Sequence, residues 1–491
     1  MKLPSCLRRR LAPRCAATAL MLAAAAAVGQ PYTTPPAPAA PRPLAIAAPS
    51  EMKLANGLRV IVARREGVPL VSAELVALAG AEVDPPRLAG LASLSASLMT
   101  QGTKRRSAPA LAAAAEALGG SLDSGAGWNS AIVSITVTTP RLDAALGLVA
   151  EVAREPVFAP EEIDRVRTQT LDALKVAYAS PGTLAGLVAD KLAYGSGPYG
   201  HPSSGTPQSL PRIGRDDLVA VHRRTFRPDN AVLILAGDIA PEAGLALARR
   251  HFGSWAAPAG AAPAAPVASP DTHGPTVTVI DMAKSGQAGV VFALPLPERS
   301  GSERATGAVL NSVLGSGYSS RLNQEVRIKR GLSYGVSSTI DARREAALFR
   351  VAVQTKNESA AEVVSLVQGE LDRLMKEPVS AEELAARKLT LIGGFSRSVE
   401  TTAGLATAIR ALVVANRPPA ELKERIGQFE AVNAADIQRY AAANLGAAKR
   451  RVAVAGEAGA FGAALKAAQP GLVTVGQDAL DLERDDGLSR R

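Results

Sequence analysis

Cysteine is almost missing from this 491-residue chain. The two present, Cys6 and Cys15, both fall within the first fifteen residues. Beyond them the chain can form no disulfide, no Cys–zinc site and no thiol nucleophile. Aromatic residues are scarce, at 3%, so the cores must be built from Ala, Leu and Val. There are four histidines, His201, His222, His251 and His273, and no two stand four apart, the spacing that sets two imidazoles on one helical face. Their ordinary reading is as surface or capping side chains. No glycine-rich loop leads into Lys-Ser or Lys-Thr, so nothing resembles a phosphate cradle. Gly315-Ser316-Gly317 reads as a loop before the next helix. After the first thirty residues no apolar run is long and uninterrupted enough for a membrane span.

What is present begins with charge. The net charge is +10, but Lys2, Arg8, Arg9, Arg10 and Arg14 lie in the first thirty residues without an acid among them; setting these five aside leaves +5. That mild surplus forms no basic stripe with interleaved aromatics, so nucleic acid is not an expected partner. The basic stretch leads into an apolar run, Ala16 to Ala27, and then a Pro-rich segment. This order reads as an export signal over residues 1–30, and the protein is expected to be periplasmic. The competing reading is an uncleaved anchor.

Hydrophobic residues make up 47% of the chain and charged residues 20%, a folded composition. Pro/Ala-rich linkers are expected at 31–50 and 256–275. They leave domains at 51–255 and 276–470, with a tail at 471–491. The two domains resemble each other. Glu155-Pro156-Val157 precedes Glu162, and Glu377-Pro378-Val379 precedes Glu383, 221 positions later. Asp217 and Asp436, 219 positions apart, each stand twenty residues before a strand-ending glycine, Gly237 and Gly456. Two landmarks at nearly one offset predict a duplication of domains. Strand-like runs at 58–62 and 69–78, then helical spacing at 88–100 and 109–118, predict an α+β class with helices on one face of a mixed or antiparallel sheet.

Gly90-Leu91-Ala92-Ser93-Leu94-Ser95-Ala96-Ser97-Leu98-Met99, followed by Gln101-Gly102-Thr103, resembles the helix of M16 (pitrilysin-type) zinc peptidases that reads G-L-A-H-x-x-E-H. In that family the two His bind zinc and the Glu is the general base. By the resemblance, Ser93 and Ser97 occupy the His positions and Ala96 the Glu position. Ala173, with Asp172 beside it, occupies the position of the third ligand. Serine and alanine do not replace imidazole and carboxylate, so no metal and no cofactor is expected in this chain.

Ser319-Ser320-Arg321-Leu322-Asn323-Gln324-Glu325-Val326-Arg327-Ile328-Lys329-Arg330-Gly331-Leu332-Ser333-Tyr334 closely resembles the family signature S-S-R-L-x-Q-E-[IV]-R-x-K-x-G-L-x-Y. The resemblance implies that Arg327 and Tyr334 reach the scissile peptide, where donors held against a developing oxyanion lower the barrier. By spacing alone the segment reads as a solvated basic helix capped by Gly331, with Tyr334 inside a strand. Phe226-Arg227-Pro228-Asp229-Asn230 also resembles a family element, Y-x-P-x-N, and Pro198-Tyr199-Gly200-His201 a P-Y-G segment.

The resemblance spans about Met52 to Glu457. It implies one half of a clamshell whose other half is a separate H-x-x-E-H chain. The expected role is a non-catalytic partner that lends Arg327 and Tyr334 to that zinc-bearing subunit for hydrolysis of peptides. The alternatives are a non-enzymatic M16-like scaffold or peptide-binding protein, and an autonomous peptidase with an unrecognised metal site.

Overall fold

The computed structural model describes residues 46–267, 274–297, 301–344 and 346–484, which form one compact unit. The expected export signal, His273 and the last seven residues lie outside the described residues.

The first half carries β1 (Ser50–Lys53), β2 (Arg59–Arg64), β3 (Leu70–Ala77), β4 (Leu122–Ala126), β5 (Ala131–Thr138) and β6 (Ala231–Gly237). Its helices are α1 (Leu91–Met99), α2 (Ala108–Glu116), α3 (Leu142–Arg154), α4 (Pro160–Ala179), α5 (Pro181–Tyr194), α6 (Arg215–Thr225) and α7 (Pro241–Phe252). The second half carries β7 (Val277–Asp281), β8 (Ala288–Pro297), β9 (Val336–Ala342), β10 (Ala346–Thr355), β11 (Arg451–Gly456) and β12 (Val473–Gly476). Its helices are α8 (Gly301–Leu314), α9 (Ala360–Lys376), α10 (Ala381–Ser398), α11 (Thr402–Val414), α12 (Arg425–Ala431), α13 (Ala434–Asn444) and α14 (Ala458–Ala468).

Each half builds its own six-stranded sheet, in the orders β1-β2-β6-β3-β5-β4 and β12-β7-β11-β8-β10-β9. Five strands of each correspond position by position. β2 pairs parallel with β6, as β7 does with β11, and the β3 and β8 pairings are antiparallel. The sheets differ at one edge: β1 joins β2 antiparallel, whereas β12 joins β7 parallel. The acidic landmarks recur for a local reason. Glu162 and Glu383 lie in the first turns of α4 and α10, where the exposed N–H groups favour negative charge. The Asp217 and Asp436 carboxylates accept the backbone N–H of Gly214 and Asn433, closing the starts of α6 and α13.

The halves are interleaved. In β3, Val71, Ala73 and Leu75 enter the core of the first half with α3. The alternate residues point the other way. There Ser72 meets Thr402 of α11 at 3.0 Å, and Glu74 meets Arg410 of α11 at 3.0 Å. In β8, Val290, Phe292 and Leu294 face the second half's own helices, while Val291 and Ala293 pack on Leu184, Val188 and Leu192 of α5. Each sheet is therefore covered on its far face by a helix from the other half, a layer beyond the one-faced packing expected from sequence. The approach on α5 is close. A Cβ on Gly289 would stand 2.5 Å from Gly182 Cα, so glycine at 289 lets helix backbone lie on strand backbone.

Candidate functional site

Helix α1 starts after Gly90, whose φ of 89° is left-handed and whose missing Cβ leaves room for Gly205. That turn ends the helical spacing short of Leu88. The Asp84 carboxylate accepts N–H bonds from Gly90 and Ala92, each 2.9 Å, at the head of the helix. The four positions that the resemblance would tie to zinc chemistry carry no imidazole or carboxylate. The Ser93 hydroxyl donates to the Ser203 carbonyl at 2.6 Å. Ala96 is buried, and its carbonyl accepts from Ser124 at 2.7 Å. Ser97 is exposed, and so is Ala173 on α4, while neighbouring Asp172 pairs with Lys175. The side chains at these positions do not fit zinc. Among the described residues no group of three His, Cys, Asp or Glu is placed to hold a metal ion.

The three described histidines are half-buried, each with a partner, and His222 takes a capping place at the end of α3, one of the two readings expected. His201 lies 3.1 Å from the Ala81 carbonyl and 3.3 Å from that of Pro202. His222 lies 3.1 Å from the Ala153 carbonyl, and burial pushes it down to about 4. His251 reaches Asp143 at 2.6 Å.

The Arg/Tyr segment is organised differently from the plain helix that spacing offers. Residues Asn323–Lys329 form a π-helix, ended by Gly331 at φ 65°. Tyr334 follows in the approach to β9, not within it, and is 90% exposed. The structure brings Arg327 and Tyr334 together: the guanidinium lies over the Tyr334 ring, 4.7 Å from its centroid. It also lies 4.7 Å from the centroid of Tyr318, a residue not singled out from sequence. The signal available was composition, since the chain has seven tyrosines and this one interrupts a Gly/Ser loop.

Charge pairing separates Arg327 from its basic neighbours. Arg321 forms a two-pronged pair with Glu383 of α10. Lys329 and Arg330 both bind Glu325, and these hydrogen bonds hold its carboxyl below the usual range. Arg327 alone of the four has no carboxylate among the described residues. Two exposed cation–π contacts contribute roughly 0.5–1 kcal/mol each. Together that is comparable to the rotamer entropy of about 2 kcal/mol that a free arginine would lose. The rings thus hold the guanidinium without consuming its N–H donors.

A second arginine–aromatic cluster joins the halves. Arg343, at the tip of the β9–β10 hairpin, is 2% exposed and lies over Trp128, Tyr194 and Tyr199 at 4.5, 5.0 and 4.7 Å. Asp341 pairs with it at 3.1 Å. Tyr199, from the P-Y-G segment, is thereby a packing residue, bonded also by Asn129. In Phe226–Asn230 the aromatic ring is buried, Arg227 pairs with Asp229, and Asn230 donates to the Thr225 carbonyl, which sets up the entry to β6.

Residues 59–200 match the sequence model of the insulinase family, peptidase family M16, and residues 212–391 match that of the peptidase M16 inactive domain. An uncharacterized zinc protease of Mycobacterium tuberculosis is 27% identical over 416 residues, covering 82% of this chain and 94% of its own. A Helicobacter pylori protein named a non-peptidase homolog is 25% identical over 336 residues, covering 68% and 77%. Among solved structures, a peptidase M16 inactive domain from Pseudomonas fluorescens superimposes with a TM-score of 0.78 at 26% identity, over 83% of this chain and 98% of that one.

Proposed function

Because this chain belongs to the M16 peptidase family, we propose that it is the zinc-free subunit of an exported two-chain peptidase and completes the active site of a zinc-bearing partner. The observation that carries this reading is Arg327. It is held by two exposed rings and, unlike the basic residues around it, keeps its N–H edge free of any carboxylate among the described residues. A guanidinium so placed, with the Tyr334 hydroxyl nearby, can donate to a peptide carbonyl oxygen and more strongly to the negative charge that develops there during hydrolysis. Helix α1 supplies the other half of the reading. With serine and alanine where zinc chemistry needs imidazole and carboxylate, the metal belongs to the partner. Export is supported by the basic and apolar order of the first thirty residues, and the substrates are peptides or small unfolded proteins.

The test is reconstitution with a chain that carries H-x-x-E-H. Metal analysis of the complex finds zinc in that chain and none held by this one. Arg327→Ala or Tyr334→Phe leaves assembly intact and lowers peptide turnover about ten- to a thousandfold. Arg327→Lys recovers only part of it, since an ammonium lacks the planar fork of donors. Lys329→Ala, on the same helix but outside the pair, has little effect. If the complex carrying both Arg327→Ala and Tyr334→Phe cleaves at the unmodified rate, the protein is instead a peptide-binding scaffold without a part in the chemistry.

A further inference from the structure

We propose that Tyr318 is a positioning residue for Arg327, forming with Tyr334 a two-ring clamp that aims the guanidinium edge at the substrate; this rests on the reading above. Tyr318 is 61% exposed, in a chain that keeps few aromatics, and among the described residues it belongs to none of the hydrophobic core clusters. Its one described ring contact is the Arg327 guanidinium at 4.7 Å, the same distance at which Tyr334 meets it.

The loop carrying Tyr318 is built to hold that position. Asn323, buried in the π-helix four residues before Arg327, donates to the Gly317 carbonyl at 3.1 Å and to the Val336 carbonyl at 2.7 Å. Its side-chain oxygen accepts from Val336 N–H at 3.1 Å. One amide therefore ties the residue before Tyr318 to the strand that begins just after Tyr334. Arg387 of α10 adds a hold on the other side, donating to the Ser319 hydroxyl at 3.1 Å and to the Ser319 carbonyl. Ser333, next to Tyr334, donates to the Gln354 carbonyl of β10 at 2.7 Å. Both tyrosines thus stand on anchored backbone, while the rings themselves are left to the arginine. A planar cation against two rings keeps its edge N–H groups as the directions open to a carbonyl oxygen. The contribution of Tyr318 is through its ring, not its hydroxyl.

The test has two readouts. With 15N-arginine label on the chain alone, the Arg327 Nε–H signal is identified by its loss in Arg327→Lys. Ring currents displace it from the position of exposed arginines. Tyr318→Ala returns it at least halfway to that position, and Tyr318→Phe leaves it displaced. In the complex with the zinc-bearing chain, acting on a quenched fluorogenic peptide, Tyr318→Ala lowers kcat about three- to tenfold with KM little changed. Tyr318→Phe restores most of the rate. A Nε–H signal that does not move in Tyr318→Ala overturns the clamp and leaves the function of Arg327 standing. A signal that moves while kcat stays at the parental value overturns the positioning role. If Arg327→Ala itself does not slow the complex, the functional reading fails first and the role of Tyr318 in turnover falls with it.

Discussion

Asp84 shows how a single residue at the head of α1 links the fold to pH. Burial pushes its carboxyl up to about 8, only partly offset by the N–H groups of Ala92 and Gly90, and the nearby Glu82 carboxylate raises it further. In the unfolded chain an aspartate titrates near 3.9. Between about pH 4 and 8 the folded protein therefore holds a proton that the unfolded chain has lost. Stability falls as pH rises through that window and levels off above it. The Asp84 contribution between pH 5 and pH 7.5 is at most roughly 3 kcal/mol. Asp84→Asn keeps an acceptor oxygen without the titration. Urea midpoints at the two pH values should differ less in the variant than in the parent, and equal differences would count against the shifted carboxyl. The comparison between proteins is needed because His222, pushed down to about 4 by burial, contributes the opposite slope as pH falls below 6.5. Neither shift was legible in the sequence, where His222 read as an ordinary surface or capping group. The serines and alanines at 93, 96, 97 and 173 were legible, because residue type at a given spacing is read directly from the sequence. Tyr318 was not, since nothing in spacing says that a loop will fold its ring onto an arginine nine residues later.

At the scale of elements, the duplication was readable because the repeated acids cap helices, a job done by local sequence. The exchange of α5 and α11 was not. PGTLAGLVADKLAY and TAGLATAIRALVV are apolar on several faces, which marks buried helices but not the sheet that buries them. Each exchanged helix brings one charged group to the sheet it covers. Arg410 of α11 pairs with Glu74 of β3, and Asp190 of α5 pairs with Arg350 of β10. Burial raises the Glu74 carboxyl, and Arg410 pulls it back. Removing the arginine alone strands that carboxyl. Arg410→Met should cost toward the low end of about 3–5 kcal/mol, since Arg410 is partly exposed, while the double change Glu74→Leu/Arg410→Met should recover most of the loss. Chemical denaturation of the two single variants and the double variant measures the coupling. Independent, additive effects would show that the pair does not join α11 to β3. The π-helix was likewise beyond the sequence. The residues of Asn323–Lys329 suit an ordinary helix, and the wider turn accompanies Asn323 bonding the strand start at Val336 rather than any local preference.

At the scale of the whole molecule, two sheets that each need the other half's helix cannot behave as independent domains on a tether. The sequence pointed to a linker at 256–275, and each described strand pairing stays on one side of it, yet the cores cross between halves. Leu184, Val188, Leu192 and Tyr194 of α5 are buried with the second sheet, and Leu405, Ile409, Leu412 and Val413 of α11 are buried as well. At about 1.5–3 kcal/mol for each large apolar side chain, eight of them represent roughly 12–24 kcal/mol gross. Holding two separate chains together costs on the order of 4–15 kcal/mol in lost freedom, and micromolar association needs about 8 kcal/mol net. The Arg343 cage and the two ion pairs act in the same direction. A protease site inserted between Ala264 and Ala265, among exposed or half-exposed residues, should therefore yield two fragments that elute together from gel filtration and unfold in one transition. Arg343→Ala in the cut protein should lower the denaturant concentration at which the fragments part, because it empties the space between Trp128, Tyr194 and Tyr199. Fragments that separate under native conditions, each keeping its own cooperative unfolding, would show that the exchanged helices are accessory to two autonomous domains. Co-elution has a consequence for the proposed site. Because Arg343 docks the β9–β10 hairpin against Trp128, Tyr194 and Tyr199 of the first half, and β9 begins two residues after Tyr334, the arginine–tyrosine cluster is tied through β9 to the first half, so loosening that contact should also be felt at the cluster.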